Sequence, residues 1–357
     1  MLDDVVLFDS WRGQFSDNPR AISEEIHRRG MDLRQVWVLN DLAAANAPDW
    51  VERVAPGSRA HLAMLGRARY LVANTTVPGF HRKRAGTRFL ETWHGTPLKR
   101  IGIHVKRDRS SVDRQATKTL KANVRNWDVL LSPNRFSTPI FRVAFEFDGE
   151  VAETGYPRTD LLLAPEAGEI RSRTRASLGI DESQQAVLFA PTFRDRAGFS
   201  FYAEVELLAR GLGDSHAVLL RTHAVDAKGR EPAVSAHYRD VSTYQDNREL
   251  FLAADVLVTD YSSLMFDFAV TRKPILFFTP DLDVYRDEVR GFYFDFEAEA
   301  PGPLVTEIDS LIDAVHDAQA GAAQFGAAYA DFTERFCHLD DGRAAARAVD
   351  VLLSDGR

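Results

Sequence analysis

The chain has 357 residues, of which 45% are hydrophobic and 27% charged, and its formal net charge is −8. This length predicts two globular domains rather than one core, and no apolar run reaches the roughly 18 residues that a membrane-spanning helix needs. The acidic start, MLDD, predicts no secretory signal. The single Cys337 excludes an intramolecular disulfide or a cysteine-ligated metal site and suits a reducing cytosol.

Short apolar runs typical of buried strands alternate with helical patterns along the whole chain. In the first half the predicted strands are 5–10, 36–40, 70–75, 89–93, 129–134 and 151–156, with helices at 19–30 and 59–68. In the second half the predicted strands are 186–192, 217–223, 256–262 and 275–278, with helices at 200–211, 246–254, 263–271 and 306–319. The alternation predicts an α/β protein with two parallel sheets covered by helices.

The domain boundary is predicted within 162–184, a polar stretch without a strand pattern. We therefore assign residues 1–165 to a first Rossmann-like domain and 166–339 to a second, and expect the terminal helix, about 340–357, to pack back on the first. Open α/β sheets bind ligands beyond the carboxyl ends of their strands. The residues that follow predicted strands are therefore the candidates for a site in a cleft between the domains.

The charge is unevenly distributed along the chain. Residues 1–160 hold 25 Lys and Arg against 19 Asp and Glu, whereas the remainder holds 19 against 33. Within 81–125 there are 13 basic and 3 acidic residues. A basic block in an acidic protein is expected to face an anionic partner, with a merely solvated surface as the alternative.

Two segments that follow strands in the first half carry polar groups. In DSWRGQFSDNPR, Asn18 is predicted to cap a helix and Pro19 to be its first residue. In RFLETWHGTPLKRIG, His94 directly follows a predicted strand, and Gly95 permits close approach of a ligand or another backbone. A histidine in this position could take a proton from a hydroxyl nucleophile; the alternative is a histidine hydrogen-bonded in a turn.

In the second half, two strand ends carry cations. Arg194 in APTFRD presents a planar fork of donors that matches phosphate, unless it pairs with Asp195. Arg221 and His223 in LLRTH would project to the same side of a continuing strand. Two cations there suit a pyrophosphate leaving group, and surface residues without a ligand are the alternative.

A strand, a turn and a helix follow one another in VLVTDYSSLMFDFAV, where the strand ends at Thr259 and Asp260. Ser262 or Ser263 can cap the helix, whose first amides would form an anion site. No P-loop, G-x-G-x-x-G, H-E-x-x-H or G-x-S-x-G pattern and no metal constellation occurs. These residues suit displacement at a nucleotide-activated phosphate or sugar, with protein cations neutralising the leaving group.

Several of these segments, taken together and in order, carry a family resemblance: FDSWRGQFSDNPRAI, ETWHGTPLKRIG, TGYPRTDLL, VLFAPTFRD, LLRTH, YQDNRELFLAADVLVTDYSSLMFDFAVTRKPILFF and CHLDDGRAAARAVDVLL. From about residue 5 to 353, the chain resembles the CDP-glycerol:poly(glycerophosphate) glycerophosphotransferase family, which includes teichoic-acid polymerases and primases. The resemblance implies a GT-B fold, in which two Rossmann-like domains face each other across a cleft.

The same resemblance implies a phosphotransferase. It would transfer glycerol phosphate, or a related polyol phosphate, from CDP-glycerol or CDP-ribitol to a hydroxyl of a lipid-linked or polymeric acceptor. CMP would be released, and no further cofactor would take part. The reaction would serve teichoic acid or capsule-type polymer synthesis at the cytoplasmic face of the cell membrane. No nucleic-acid partner is expected, and the oligomeric state is left open.

Residue by residue, the resemblance makes His94 the general base and His223 a second catalytic histidine that also holds the pyrophosphate. The donor and its phosphates would be bound by Arg194, Arg221, Asp260, Ser262, Ser263, Gly95 and Thr96. Asp260 would either orient His223 or hold a donor hydroxyl. An anionic acceptor or the membrane surface would be contacted by Lys99, Arg100, Lys118 and Lys121 of the basic block.

Two departures from the family pattern leave alternatives open. Ala224 follows His223 where relatives commonly have proline. The chain also lacks the additional N-terminal region of the longer polymerases, so a polymerase, a primase that adds one unit and a piece of a larger synthase are all compatible with it. The competing functions are a GT-B glycosyltransferase that uses a nucleotide sugar, a CDP-ribitol-specific transferase, and a non-catalytic module that binds anionic polymer or lipid.

Overall fold

The computed structural model of the chain describes residues 2–105, 111–192, 201–222, 235–289, 291–318 and 325–354, except the side chains of residues 42 and 111–114. Its strands are β1 Asp3–Asp9, β2 Arg34–Val38, β3 Glu52–Val54, β4 Ala68–Ala73, β5 Arg88–Glu91, β6 Val129–Ser132, β7 Glu150–Glu153, β8 Gln185–Phe189, β9 His216–Leu220, β10 Tyr238–Asp240, β11 Val256–Thr259, β12 Ile275–Phe278 and β13 Leu304–Val305.

The α-helices of the described residues alternate with these strands. They are Asp17–Arg28, Asp41–Asn46, Arg59–Arg67, Ser111–Val124, Ser137–Phe145, Ala167–Ser177, Tyr202–Leu212, Asn247–Ala253, Leu264–Ala269, Leu282–Val284, Phe296–Glu299, Ile308–His316, Gly326–Phe336 and Ala344–Leu353. Short 3-10 segments span Gly102–His104, Pro157–Leu163 and Gly213–Ser215, and a π-helical turn spans Tyr285–Val289.

Two sheets form among the described residues, and all of their strand pairs are parallel. The strand order is β3-β2-β1-β4-β5-β6-β7 in the first and β10-β9-β8-β11-β12-β13 in the second. In each sheet the first strand of the chain lies in the interior, and the next two strands lie on one side of it. The later strands lie on the other side, as in Rossmann-type sheets. The predicted α/β class is therefore confirmed, with switch points between β1 and β4 and between β8 and β11.

The first sheet is buried on both faces, because successive residues of its strands point to opposite sides. Val6 and Phe8 of β1 pack in a core cluster with Ile22 and Ile26 of the helix Asp17–Arg28. The neighbouring positions of β1 face a second cluster, which includes Phe89 of β5 and Phe141 of the helix Ser137–Phe145. The second sheet has a comparable core against the helices Tyr202–Leu212 and Ile308–His316.

Two compact units divide the chain. One comprises Met1–Thr96, Ile101–Asp160 and His338–Arg357, and the other comprises Pro97–Arg100 and Leu161–Cys337. Within the first unit, the helix Ala344–Leu353 contributes Ala348, Val349 and Leu352 to a core cluster of the first sheet.

The segment Pro97–Arg100 groups with the second unit, although it lies in the first half of the chain. Its backbone pairs with a loop of that unit: the amide of Arg100 donates to the carbonyl of Gly291 at 3.1 Å. The amide of Tyr293 donates to the carbonyl of Leu98 at 2.8 Å. One such hydrogen bond thus lies on each side of the antiparallel bridge between Lys99 and Phe292.

Most predicted strands end too late. The strand predicted at 89–93 ends at Glu91, the one at 217–223 ends at Leu220, and the one at 256–262 ends at Thr259. In each case the strand ends with the apolar run or one residue after it, although the amides of Thr92 and Arg221 still donate to carbonyls of the neighbouring strands, those of Ala73 and Phe189. Strands of two or three residues, β3, β10 and β13, were missed because they have no distinctive pattern.

Candidate active site

His94 lies in a turn just beyond β5 rather than directly after a strand, because β5 ends at Glu91. The turn passes through Trp93, whose φ of +51° is in the left-handed region that residues other than glycine seldom occupy. The amide of Trp93 is held by the Glu91 carboxyl, with a distance of 3.1 Å to Oε1. Such a conformation persists only where the surroundings enforce it, and it is often found at functional sites.

The imidazole of His94 is oriented by the strand next to β5. Its Nδ1 lies 2.7 Å from the backbone carbonyl oxygen of Asn74, the residue that follows β4. A carbonyl oxygen can only accept, so Nδ1 carries the proton of this hydrogen bond. In the neutral ring the lone pair is then on Nε2, which makes Nε2 the nitrogen that can act as a base.

Two tryptophans pack against this imidazole. The ring centroid of Trp93 lies 4.1 Å and that of Trp11 lies 4.7 Å from the centroid of His94. Trp11 follows β1, has a φ of +48° and remains 38% exposed. Its amide donates to the Asn74 side chain, with Oδ1 at 3.1 Å. The residues that follow β1 and β4 are therefore joined to each other at the switch point of the first sheet, where Asn74 also binds the imidazole.

The backbone of the His94 turn is bound by side chains from two other segments. Asn18 Nδ2 donates to the carbonyl of Trp93 at 3.3 Å, and Arg158 Nη1 donates to the carbonyl of His94 at 3.1 Å. The amide of Gly95 donates to the hydroxyl of Tyr156 at 3.1 Å.

The predicted helix cap at Asn18 is wrong. The helix begins at Asp17, after Ser16. Asn18 is instead fully buried and supports the turn. Its Oδ1, the atom that a cap would use, accepts from the amide of Arg158, and its Nδ2 donates to the carbonyl of Trp93.

Two buried carboxyls lie behind the turn. Asp9 and Glu91 are both in register with Ala73, on either side of it, so all three side chains share one face of the sheet. Burial raises the pKa of Asp9 to about 6, against an opposing effect of Arg12. Burial also raises the pKa of Glu91 well above its usual value, and the charge of Asp9 adds to this. Within the described residues, Asp9 Oδ1 and Glu91 Oε2 have no hydrogen-bond partner.

The predicted donor-binding residues Gly95 and Thr96 lie beside His94 and are buried. Thr96 Oγ1 accepts a hydrogen bond from Asn134 Nδ2 at 3.3 Å. Both residues thus have contacts inside the first unit, and their contact with a donor stays a prediction.

In the second unit, Asp260 lies at the corresponding switch point, between β8 and β11. It is buried, and its Oδ1 accepts from the amide of Thr192 at 2.8 Å, while Thr259 Oγ1 donates to the carbonyl of Ala190 at 2.7 Å. These contacts tie the end of β11 to the start of the segment that leads to Arg194. Arg194 and His223 themselves lie outside the described residues.

Ser262 and Ser263 precede the helix Leu264–Ala269. Ser263 is the residue at the helix start, but its side chain makes no capping hydrogen bond; Ser262 Oγ accepts from the amide of Leu264 at 3.4 Å. Of the two predicted caps, Ser262 therefore contacts the helix amides. The helix has six residues, fewer than the predicted span of 263–271.

Arg221 was predicted to project with His223 from a continuing strand, but β9 ends at Leu220. Its Nη1 donates to the carbonyls of Val241 and Tyr244 at 2.8 and 2.9 Å. Burial lowers the pKa of Arg221 to about 10, with Asp246 and Asp240 acting in the opposite direction. Arg221 thus holds the loop after β10, and a contact with donor phosphate stays a prediction for the rest of its guanidinium group.

The four cations predicted to contact an acceptor or membrane are divided between the two units. Lys99 and Arg100 lie in the short segment that belongs to the second unit, whereas Lys118 and Lys121 lie on the helix Ser111–Val124 of the first. Lys118 is exposed. Lys121 Nζ is 2.5 Å from Glu146 Oε2, so a neighbouring carboxylate already offsets its charge.

Two features are absent from the described ranges. These ranges contain no group of three or more His, Cys, Asp or Glu side chains arranged to hold a metal ion. None of the helices in these ranges combines the length and the apolar character required to span a bilayer.

Sequence reasoning missed Tyr156 and Arg158, although TGYPR was one of the segments that carried the resemblance. Gly155 explains part of that pattern: its φ is +75°, and a Cβ there would lie 2.9 Å from the carbonyl oxygen of Leu339. A glycine directly before an aromatic residue, with a cation two positions further on, is the sequence signal that could have drawn attention to this loop.

The profile of a family described as CDP-Glycerol:Poly(glycerophosphate) glycerophosphotransferase matches residues 1–354. The chain is 37% identical to the teichoic acid poly(glycerol phosphate) polymerase of Bacillus subtilis strain 168, across 98% of this chain and 48% of that protein. It is also 37% identical to the teichoic acid glycerol-phosphate transferase of Staphylococcus aureus strain NCTC 8325, across 98% and 92%. It thus spans about half the length of the first relative and most of the second.

A solved structure is similar to the chain over nearly its whole length. It is a variant of the wall teichoic acid polymerase TagF soaked with CDPG, with a TM-score of 0.89 and 31% identity, covering 98% of this chain and 89% of that one. The GT-B class that the sequence implied is thereby confirmed for the chain.

Proposed function

The chain belongs to the CDP-glycerol:poly(glycerophosphate) glycerophosphotransferase family, and from that premise we propose that it transfers glycerol phosphate from CDP-glycerol to an acceptor hydroxyl in teichoic acid synthesis. CMP is the leaving group. The observation that carries the proposal is the orientation of His94, whose Nδ1 is bound to the carbonyl of Asn74 at the switch point of the first sheet. Its Nε2 is thereby set up to accept a proton.

In the proposed reaction, His94 Nε2 removes the proton of the acceptor hydroxyl as its oxygen attacks the phosphorus that bears glycerol. The bond between that phosphorus and the bridging oxygen of CMP breaks, and CMP leaves with the electron pair. A base placed in this way contributes roughly 10²- to 10⁴-fold to the rate. The imidazolium then passes its proton to solvent, and the new phosphodiester extends the acceptor.

The donor is proposed to lie against the second unit. Asp260, buried at the β8–β11 switch point, would orient His223 or hold a donor hydroxyl, and Arg194, His223 and the amides at Ser262 and Ser263 would neutralise the pyrophosphate. The TagF structure soaked with CDPG supports a CDP-activated donor for a chain of this fold. Glycerol, rather than ribitol, is proposed because both relatives at 37% identity are named for glycerol phosphate.

The acceptor is proposed to be an anionic, lipid-linked or polymeric polyol phosphate at the cytoplasmic face of the membrane. The basic block supports an anionic partner, because Lys118 and its exposed neighbours add positive charge to an acidic protein. We also propose that the CDP-activated donor is the sole small molecule that the reaction requires. Transfer is then expected to persist after exhaustive EDTA dialysis.

A donor panel tests this function. The protein is incubated with a synthetic lipid-linked glycerol phosphate acceptor and, separately, CDP-glycerol, CDP-ribitol or UDP-glucose. The proposal expects CMP release and acceptor extension with CDP-glycerol at least tenfold faster than with CDP-ribitol, and no reaction with UDP-glucose. Faster turnover of UDP-glucose would instead establish a GT-B glycosyltransferase, and preference for CDP-ribitol a ribitol phosphotransferase. Binding of acceptor without any turnover would establish a non-catalytic module.

A further inference from the structure

Arg158 and Asp17 form a buried ion pair within the first unit. Arg158 Nη1 lies 2.6 Å from Asp17 Oδ1, and the two side chains are only 10% and 9% exposed. Removing two charges from water is costly, and such a pair is often no more stabilising than apolar residues of the same size. Stability alone therefore gives little reason for this pair, and its other contacts become informative.

The arginine of this pair holds the residue proposed as the base. The same Nη1 that binds Asp17 donates to the carbonyl of His94 at 3.1 Å. The amide of Arg158 donates to Asn18 Oδ1 at 3.2 Å, and Asn18 Nδ2 in turn binds the carbonyl of Trp93. Two successive carbonyls of the strained turn are thus fixed, one directly and one through Asn18.

The aspartate of the pair binds the tryptophan that packs against the imidazole. Asp17 Oδ2 accepts from Trp11 Nε1 at 2.8 Å, and the ring of Trp11 packs against that of His94. Asp17 and Trp11 both have positive φ values, +64° and +48°, which non-glycine residues adopt only under constraint. The Asp17 carboxylate therefore binds both Arg158, which holds the backbone of His94, and Trp11, which packs against the ring of His94.

We propose that Asp17 and Arg158 are the positioning pair for His94. Arg158 holds the backbone of its turn, and Asp17 holds the Trp11 ring that packs against the imidazole. Nε2 thereby keeps one orientation, and neither member of the pair touches the reacting atoms. This inference rests on the proposed function for its kinetic consequences. A displacement of about 1 Å in a reacting group can cost on the order of 100-fold in rate. Loss of either member should therefore lower kcat more than it changes KM for the donor.

The test compares Arg158→Met, Arg158→Lys and Asp17→Asn in the full chain. Arg158→Met is expected to lower kcat by about 10- to 100-fold, with the KM for CDP-glycerol within about twofold of wild type. Arg158→Lys retains the charge but not the fork of donors, so it is expected to be intermediate and guards against a folding failure. Arg175→Met is the matched control: Arg175 is a buried arginine paired with Asp255 at 3.0 Å in the second unit. It should reduce stability and leave kcat within about twofold.

Two further measurements separate positioning from general support of the fold. In a His94→Asn background, Arg158→Met should cause no additional loss of kcat, because a residue that acts only through another has no effect once that other is gone. In spectra of ring-¹⁵N-histidine protein, His94 should show one Nδ1–H tautomer in wild type and a mixture in Arg158→Met. The His94 signals are identified by their absence from the His94→Asn spectrum.

Unchanged kcat in Arg158→Met, an equal further loss in the His94→Asn background, or unchanged His94 ring signals would each overturn the positioning role. The proposed function fails separately, if wild type releases no CMP from CDP-glycerol. In that event the ring signals still decide whether Arg158 orients His94, because they do not depend on turnover.

Discussion

The carbonyl oxygen of Asn74 lies 2.7 Å from Nδ1 of His94, and this contact assigns different tasks to the two ring nitrogens. Nδ1 serves as an anchor, and Nε2 can exchange a proton. Because Asn74 follows β4 and Trp11 follows β1, the anchor lies at the switch point of the first sheet, where open α/β sheets bind their ligands. The structure thus gives this histidine a fixed ring orientation that the sequence motif alone did not reveal.

His94→Asn separates these two tasks, because the asparagine amide can still donate to the carbonyl of Asn74 from roughly the place of Nδ1. We expect kcat to fall by roughly 10²- to 10⁴-fold, while the KM for CDP-glycerol and the midpoint of urea unfolding stay close to wild type. Steady-state kinetics and urea titration measure both. Retention of wild-type kcat would remove His94 from the chemistry.

Asp9→Asn should make the protein more stable at neutral pH. The pKa of Asp9 is raised by burial to about 6 from an ordinary 3.8, so the folded state holds this proton more tightly than the unfolded state does. The stabilising contribution of the neutral carboxyl is complete below pH 3.8 and is lost as the pH rises through about 6. We therefore compare the free energy of unfolding of the variant with that of wild type at each pH. This difference should be about 3 kcal/mol more in favour of the variant at pH 7 than below pH 3.8.

Urea titrations of wild type and Asp9→Asn between pH 3.5 and 7.5, about every half unit, measure this difference. Glu91→Gln should show the same sign, because burial raises the pKa of Glu91 too. A difference in unfolding free energy that stays constant over this range would show that Asp9 titrates with its ordinary pKa. Asp128→Asn is a useful contrast, since this carboxylate is bound by Lys83 and should lose stability instead.

Lys273 caps the carboxyl end of the helix Asn247–Ala253. Its Nζ donates to the carbonyls of Phe251, Leu252 and Ala254 at 3.1, 2.9 and 2.6 Å. Burial, with a contribution from Arg171, lowers its pKa to about 8, so it is still charged at pH 7.

Lys273→Met removes these donors and leaves buried carbonyls with less hydrogen bonding. We expect a loss of about 1–3 kcal/mol in the free energy of unfolding, measured by urea titration at pH 7. Arg173→Met is the control: its side chain is 68% exposed and 3.8 Å from Glu249, so its loss should cost at most about 0.5 kcal/mol. Equal effects of the two substitutions would contradict the capping role.

Binding to an anionic membrane should depend more on Lys118 than on Lys121. Both lie on one helix, but Lys121 is already paired with Glu146. A lysine near an anionic surface contributes on the order of 1 kcal/mol, so Lys118→Gln should weaken partition onto phosphatidylglycerol-containing vesicles about fivefold. Lys121→Gln should have a smaller effect, and Arg59→Gln, outside the basic block, none.

Vesicle sedimentation at low and high salt measures this partition. The salt dependence should be shallower for Lys118→Gln than for wild type, because one charge contact is gone. An equal effect of all three substitutions would indicate unspecific charge attraction, and the absence of vesicle binding by wild type would contradict the membrane proposal.

Much of the fold could be predicted from the sequence, because many of its strands are continuous apolar runs such as VVLF, AVLF and AVLL. The ends of these strands could not be predicted, because a polar residue after an apolar run can either continue the strand or begin the loop. Thr92 and Trp93 illustrate this: they read as strand, yet Trp93 has a φ of +51° and the strand has already ended.

Residues that act through long-range contacts were the hardest to predict. Asn18 has the position and chemistry of a helix cap, and only the proximity of Trp93 in space gives its side chain a different partner. Arg158 binds Asp17, 141 residues away in the chain, and no local pattern reveals such a pair. Arg221 was interpreted as a ligand group because its loop partners, Val241 and Tyr244, cannot be identified from the sequence.

The most direct test of the central claim is the mass of a defined acceptor after incubation with CDP-glycerol, measured together with the CMP released. We predict that wild type adds whole glycerol phosphate units, with one CMP for each, and that His94→Asn adds almost none in the same time. An unchanged acceptor mass with wild type, or equal extension by His94→Asn, would contradict glycerol phosphate transfer with His94 as its base.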